Sequence, residues 1–303
     1  RIADVDDMTN LSKKARETLS RRYCVGRAAP KASARSVDGT VKYLFDGKGG
    51  RDVEAVYIPD RDRATLCVSS QAGCRMGCKF CMTGRQGFHG NLTAGDIINQ
   101  VLSIPESESL TNIVFMGMGE PMDNLDAVLD AITVLTSPWG LAWSPKRITV
   151  STIGKITELK RLLDETKVHV AISVHAPSAP LRESLMPVEK AYPLKSVLEL
   201  LKHYDFSHQR RLSVEYIMWG GLNDTLRHAQ SLARLLKGLD CRVNLIRFHA
   251  IPDSDLHTSD DSTMTAFRDR LNELGITATI RTSRGEDIAA ACGMLAGKSK
   301  NDS

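Results

Sequence analysis

The sequence predicts an α/β protein built on a parallel sheet, open or closed into a barrel. Two observations carry the prediction: β-branched runs of strand length recur from residue 53 onward, and amphipathic runs with helical spacing separate most of them. Strands that alternate with helices need crossover connections, and crossovers produce parallel neighbours. The chain shows no heptad seam, low-complexity tract or short repeat that would favour another architecture.

The elements follow in order. Residues 1–50 are charged and rich in Arg, Lys and Ser, with a helical stretch in "MTNLSKKARETLSRR" and a Gly-rich hinge at "DGKGGRD". They are expected to form a small accessory N-terminal segment, with residues 51–303 forming the main domain. "VEAVYIP" and "ATLCVSS" are predicted as strands, "DIINQVLSI" as a helix that starts at Thr93, whose spacing to Asp96 fits a capping box. "TNIVFMG" is a strand and "NLDAVLDAITVL" a helix. "RITVST", "HVAISVH", "RLSVEYIM", "RVNLIRF" and "TATIRT" complete the strands, with "LKSVLELLKHY", "TLRHAQSLARLLKGL" and "AFRDRLNELG" as helices among them. In such sheets ligands bind where the strands end, at the C-terminal edge.

Composition bounds the function classes. With 303 residues and 42% apolar side chains, the chain can fill a core. No stretch approaches the roughly 18 apolar residues of a membrane span, and the charged start lacks the apolar centre of a signal peptide. A cytoplasmic protein with no membrane partner is expected. The net charge of +4 permits a nucleic-acid partner without requiring one.

Seven cysteines in a reducing compartment point to chemistry more than to stapling. Cys24 and Cys241 are expected to be small buried hydrophobes. Cys74, Cys78 and Cys81 cluster in "CRMGCKFCMTG", in the loop after a predicted strand, with no fourth cysteine nearby. Short-spaced thiolates suit zinc or an iron–sulfur cluster, and a closed site takes four protein ligands. Three ligands leave one metal position open, and an open iron can hold a small molecule through that molecule's own donor groups. The zinc reading needs a fourth ligand, for which His89 is the nearest candidate.

The C-x-x-x-C-x-x-C spacing with Phe80 before the third cysteine resembles the signature of the radical S-adenosylmethionine enzymes. "CVSSQAGCRMGCKFCMTG", "FMGMGEPMDN", "RITVSTIG", "AISVHAP", "VEYIMWGGLND" and "GEDIAAACGMLAG" occur in the order and local form of the RlmN-type RNA methyltransferases. The resemblance covers about residues 51–296, and six motifs in order make coincidence implausible. It implies a partial (β/α)6 radical-SAM barrel and methylation of carbon 2 of an adenine in 23S ribosomal RNA and, in some members, in transfer RNA.

The resemblance also implies a site. Cys74, Cys78 and Cys81 would bind three irons of a 4Fe-4S cluster, with the fourth iron chelated by the amino and carboxylate groups of S-adenosylmethionine. Gly119 and Glu120, Ser151, and Ser173, Val174 and His175 match adenosylmethionine contacts. Taken alone, these residues read as turn or core positions. Cys292 matches a cysteine that one adenosylmethionine methylates, and a second molecule, reduced at the cluster, gives a radical that removes hydrogen from that S-methyl group. Two adenosylmethionines are thus used per turnover. Such a route suits the substrate, because carbon 2 of adenine is electron-poor and no ordinary base makes it a nucleophile. Cys67 matches the cysteine that resolves the RNA adduct by forming a disulfide with Cys292, and Glu54 matches the proposed proton acceptor; whether Glu54 or Cys67 takes the proton is left open. An electron donor for the cluster and a disulfide reductant are implied partners, with the enzyme expected to be a monomer.

The sequence departs from the pattern in two places. "NLIRFHAIP" places His249 where some members have asparagine, and imidazole can still make the hydrogen bond. The family's longer N-terminal RNA-contacting domain is represented only by residues 1–50, which are expected to be a shortened form of it. Arg75, Lys79, Arg85, Lys146, Arg147, Arg210 and Arg211 are candidate phosphate contacts. Three rivals stand beside this reading: the related antibiotic-resistance branch that methylates carbon 8, a non-catalytic zinc-dependent RNA-binding module, and a radical enzyme acting on a peptide or small metabolite. "GMGEP" and "RTSRGEDIAAACG" favour the carbon 2 branch.

Overall fold

Seven of the strands run parallel in one sheet, and their order in space is their order in the chain. A computed structural model describes residues 2–207 and 212–297. After helix α1 (Lys13–Ser20), strands β1 (Ala32–Arg35), β2 (Val41–Phe45) and β3 (Val53–Asp60) form an antiparallel meander that leads into β4 (Arg63–Cys67). From β4 onward the sheet continues through β7 (Asn112–Phe115), β8 (Ile148–Thr152), β9 (His169–Ser173), β10 (Leu212–Met218), β11 (Cys241–Arg247) and β12 (Thr277–Ile280), every neighbouring pair parallel. β4 through β11 supply the six strands of the expected partial barrel, and β12 adds a seventh. A two-stranded hairpin of β5 (Gln71–Gly73) and β6 (Phe88–Asn91) stands apart, enclosing the cysteine loop and the short helix α2 (Met82–Arg85).

Helices α3 (Ala94–Leu102), α4 (Leu125–Thr136), α5 (Ile156–Glu165), α6 (Ala179–Leu185), α7 (Leu194–Leu201), α8 (Leu226–Leu235) and α9 (Asp261–Glu273) supply the crossovers. Each of the longer ones buries one apolar stripe: Leu159, Leu162 and Leu163 on α5, and Met264, Phe267 and Leu271 on α9. The capping box at α3 is present, with Thr93 Oγ1 accepting from Asp96 N at 3.1 Å and Asp96 Oδ2 accepting from Thr93 N at 2.8 Å. The core lies between sheet and helices, and includes Ile113, Val150, Ile172, Val214 and Val243 from successive strands. A second apolar cluster, with Phe80, Trp219, Phe248 and Ile251, packs around the cysteine loop itself.

Two local features differ from expectation. "DGKGGRD" is the turn joining β2 to β3, so residues 32–45 extend the main sheet. Cys241 is buried, but Cys24 is exposed, because it lies in irregular chain after α1 where little packs over it. Among the described residues, no helix is long and apolar enough to cross a membrane.

Candidate active site

The cysteine loop is held in place by backbone geometry that only a few residues permit. β4 ends at Cys67, the chain passes into β5, and Gly73 turns it into the loop with φ +73°. A Cβ there would stand 1.9 Å from the Gly87 carbonyl oxygen, so the position requires glycine. Cys74 N donates to that same carbonyl at 2.9 Å, Cys81 N donates to Cys78 O at 3.2 Å, and Cys81 opens α2. The loop is thereby pinned to β6 at one end and wound into a helix at the other.

One cavity at the C-terminal edge of the parallel strands gathers Cys74, Cys78 and Cys81 with Gly119, Glu120, Ser151, Ser173, His175 and Cys292. Cys292 and Gly293, far along the chain, return to line it. Val174 is not part of the lining: its side chain joins the main core. Cys67, Glu54 and His249 also lie outside the lining. Cys67 is buried at the end of β4, close enough to Cys292 for the two charges to oppose each other. His249 is buried, with Nδ1 3.4 Å from Glu286 Oε1.

The three clustered thiols are all pushed upward by burial, Cys74 to about 12, and the charges of Cys74 and Cys81 further oppose ionisation of Cys78. Three desolvated thiols in one loop are costly to ionise unless a cationic centre takes the sulfurs as ligands. The donor set therefore fits iron coordination. Among the described residues, no three His, Cys, Asp or Glu side chains gather round a single ion position, and His89 Nε2 lies 3.1 Å from Gln86 O, away from the cavity lining.

Glu120 is 4% exposed, and burial raises its carboxyl to about 7 despite hydrogen bonds from Thr152 Oγ1 at 2.5 Å, Ile153 N at 3.0 Å and Met122 N at 3.1 Å. Those bonds come from β8, the loop after it and the turn after Glu120, so three pieces of chain aim one carboxylate at the cavity. The preceding Gly119, φ +97°, brings the backbone against Gln71, where a Cβ would meet the Gln71 side chain at 2.6 Å. His175 also adopts a left-handed backbone, φ 58°, a strained choice for a residue with a side chain. Asn223 Nδ2 donates to its carbonyl at 2.8 Å, and its Nδ1 accepts from Ile217 N at 3.1 Å. Burial lowers its pKa to about 3, so near neutral pH the ring is uncharged and Nε2 carries the proton.

Several residues of the site carried no signal in the sequence. Arg182 is 1% exposed; it donates from Nη2 to Ser173 O at 2.9 Å and from Nε to Val174 O at 3.2 Å, and it pairs with the buried carboxylate of Glu189. It fixes the turn that presents Ser173 and His175. Glu215 lines the cavity at the level of Ser173 on β9 and Asn244 on β11, and Asn244 Nδ2 donates to its Oε1 at 2.7 Å. Arg281, at the end of β12, favours the thiolate at both Cys67 and Cys292, while Glu215 opposes it at Cys292. Arg182 and Glu189 lie in none of the quoted motifs, and Glu215 and Arg281 lie within "VEYIMWGGLND" and "RTSRGEDIAAACG" with nothing local to mark them, because their contacts come from distant segments.

Cys292 is solvent-exposed yet stands within the concavity, so reagents can reach a thiol that its surroundings keep protonated. The walls of the concavity strip water from the sulfur although solvent still reaches the residue, and that desolvation is the main reason its pKa lies above the ordinary thiol value. In the metal-free protein, alkylation of Cys292 by iodoacetamide is therefore expected to rise about tenfold per pH unit between pH 7 and 9, because only the thiolate reacts. Peptide mass spectrometry measures this, and a plateau below pH 8 would show that Arg281 outweighs burial.

A parallel α/β barrel that gathers three clustered cysteines, two of them buried, and a buried, hydrogen-bonded carboxylate at its C-terminal edge has the donor set of a cluster-binding α/β enzyme. The comparisons make it specific. The family model of the radical SAM superfamily matches residues 68–236. The chain is 59% identical to a probable dual-specificity RNA methyltransferase RlmN of Phocaeicola vulgatus, over 97% of this chain and 84% of that protein. It is 43% identical to the dual-specificity RNA methyltransferase RlmN of Bdellovibrio bacteriovorus, over 97% and 75%. The crystal structure of a radical SAM methyltransferase from Sphaerobacter thermophilus superposes with a TM-score of 0.92 at 39% identity, covering 98% of this chain and 89% of that one. The chain belongs to the radical SAM superfamily, within its RlmN-type methyltransferase family. It is an S-adenosylmethionine-dependent radical methyltransferase, and its family implies a 4Fe-4S cluster.

Proposed function

We propose that the protein methylates carbon 2 of an adenine in 23S ribosomal RNA, and in transfer RNA, with Cys292 as the methyl carrier. The observation that supports this most strongly is the placement of Cys292, which is remote in sequence, in the cavity of Cys74, Cys78 and Cys81 with Cys67 beside it. A radical enzyme with no covalent carrier has no use for that second pair of thiols.

Cys74, Cys78 and Cys81 would hold the cluster, and Glu120 would take the ammonium of adenosylmethionine. When bound, the cluster and adenosylmethionine supply one-electron cleavage to a radical able to abstract hydrogen. The chain's own residues do the rest. Cys292 gives up its proton, and the thiolate then takes the methyl group of a first adenosylmethionine, forming a sulfur–methyl bond and releasing S-adenosylhomocysteine. After hydrogen is removed from that S-methyl group, the methylene carbon bonds to the adenine ring, leaving an adduct tethered to Cys292. The ring gives up its carbon 2 proton to Glu54 or Cys67, and the Cys67 thiolate then attacks Cys292 sulfur; the sulfur–methylene bond breaks, the released carbon takes a proton to become the methyl group, the unpaired electron leaves the ring for an electron acceptor such as the cluster, and the Cys67–Cys292 disulfide remains for an external reductant. His175 and Ser173 line the same cavity. Glu54, matched to the family's proton acceptor, has its carboxylate bonded to Lys42 and to the amides of residues 296 and 297.

Arg75 and Lys79, both in the cysteine loop, are the best placed of the candidate phosphate contacts; Arg75 lies 3.9 Å over the Phe88 ring. Arg85 is committed to the Pro252 and Asp253 carbonyls. Lys146 and Arg147 precede β8 and stand at the opposite end of that strand from Ser151. Arg210 and Arg211 lie outside the described residues.

Glu120 gives a pH-dependent expectation. An ammonium is met by the carboxylate and not by the carboxylic acid, so affinity for adenosylmethionine should strengthen as pH rises through about 7. Glu120→Gln should remove that component and weaken binding about 10- to 100-fold, the worth of a charge-assisted hydrogen bond. Calorimetric titration of the reconstituted enzyme measures both, and equal affinities would remove Glu120 from the ammonium site. The product decides the reaction: digested RNA should contain 2-methyladenosine by mass spectrometry, and 8-methyladenosine would move the enzyme to the carbon 8 branch.

A further inference from the structure

The segment that carries Cys292 has little structure of its own. Between Gly285 and Gly297 the only regular element is the single 3-10 turn Glu286–Ile288, so contacts from elsewhere must set where Cys292 sits. Those contacts come from two directions. From the side of the cysteine loop, Met82 N donates to Gly293 O at 2.8 Å, Thr83 Oγ1 to Leu295 O at 2.7 Å and Gln86 Nε2 to Ala296 O at 2.7 Å. From the side of the antiparallel hairpin, Lys42 Nζ donates to Ala289 O at 3.3 Å, and Glu54 Oε2 accepts from Ala296 N at 2.8 Å and Gly297 N at 3.2 Å. Glu54 Oε1 pairs with Lys42 Nζ at 2.9 Å, so the two hairpin residues brace each other.

We propose that these four side chains, Lys42, Glu54, Thr83 and Gln86, form a two-sided clamp that positions Cys292 between the cysteine loop and Cys67. Glu54 acts here as a positioning residue, holding the methyl-carrier segment through its amides. Thr83 and Gln86 sit on the turn that begins at Cys81, so the loop that holds the cluster ligands also fixes the carrier. The functional meaning of the clamp rests on the reading of Cys292 as the methyl carrier; its existence does not.

The physics favours a clamp over incidental contacts. Glu54 is 1% exposed, and a buried carboxylate is stable only when its acceptor sites are filled. Lys42 and two amides fill them, so the charge of Glu54 ties residues 296 and 297 to β3. The Thr83 hydroxyl and the Gln86 amide bond main-chain carbonyls of irregular chain, which has no helix or strand to satisfy them.

The test is made first on the metal-free full chain. Cys292 is alkylated with a bulky maleimide, and its rate is divided by that of Cys24, which is exposed and belongs to a different part of the fold. Thr83→Val with Gln86→Ala should raise that ratio about thirtyfold, the effect of losing two ordinary hydrogen bonds, and Lys42→Met should raise it in the same direction. Thr83→Ser, which keeps the hydroxyl, should restore the wild-type ratio when Gln86 is intact. Ratios within twofold of wild type in both Lys42→Met and the double variant would overturn the clamp. Iron binding after reconstitution checks that the variants fold. On the reconstituted enzyme, the clamp variants should cleave adenosylmethionine while accumulating less S-methylated Cys292. If wild-type Cys292 is never methylated, the carrier reading fails while the alkylation ratios still decide the clamp.

Discussion

Cys292→Ala abolishes RNA methylation, by at least about a thousandfold given that no bypass through direct transfer to an electron-poor ring carbon is available. The same variant still binds iron and still cleaves adenosylmethionine, because Cys74, Cys78 and Cys81 and the turn around Glu120 do not depend on the Cys292 sulfur. Loss of the cluster in this variant would contradict its assigned role. Cys67→Ala separates the steps further. Cys292 should still become S-methylated, since Cys67 is buried outside the cavity lining and takes no part in that displacement. The RNA should then remain covalently attached, because no thiol is available to break the sulfur–methylene bond. Denaturing gels with labelled RNA detect the adduct, and normal turnover by Cys67→Ala would remove it from the mechanism.

Arg182→Ala is expected to have the largest effect on folding. Its guanidinium and the Glu189 carboxylate are both buried, and Glu189 also accepts from Leu194 N at 3.1 and 3.2 Å. Removing Arg182 leaves a buried charge without its partner and frees the carbonyls of Ser173 and Val174, a loss of about 3–5 kcal/mol. For a domain of this size that corresponds to a fall in Tm of roughly 10 °C. Replacing the pair together by Arg182→Met and Glu189→Leu should recover part of that loss, since no isolated charge remains. The double variant should nonetheless bind adenosylmethionine poorly, because the turn carrying His175, already in a left-handed backbone, loses its brace. Scanning calorimetry of the two variants beside wild type measures the first effect. A Tm for Arg182→Ala within a degree or two of wild type would show that water replaces the guanidinium.

The parallel sheet was legible because its strands carry a strong local pattern. "HVAISVH" and "RLSVEYIM" alternate, with Val170, Ile172, Val214 and Tyr216 entering the core and Ser173 and Glu215 on the face that lines the cavity. The β5–β6 hairpin was not legible: "QAG" and "FHGN" have no alternation, and their pairing is set by Gly73 and its close approach to Gly87. The three cysteines announced themselves by spacing. Arg182 could not, and Thr152, Glu215 and Arg281, although inside the motifs, were not marked there as site residues, since each owes its role to side chains brought in from other strands and loops. His249 shows the reverse limit, because the motif sets it beside a ligand position while the fold buries it against Glu286. A motif fixes residue types along the chain, and tertiary packing decides which of them face the cavity.

The central claim is that the methyl carbon reaches RNA through Cys292 and not directly, and isotope counting tests it. With adenosylmethionine carrying a fully deuterated methyl group, Cys292 first receives that group intact. Hydrogen abstraction then removes one deuterium before the carbon bonds to the ring. Mass spectrometry of the digested RNA should find 2-methyladenosine whose methyl group retains two deuterium atoms, one hydrogen having entered from solvent or the substrate. A product retaining all three would mean that the methyl group was transferred whole, and the role assigned to Cys292 would fall.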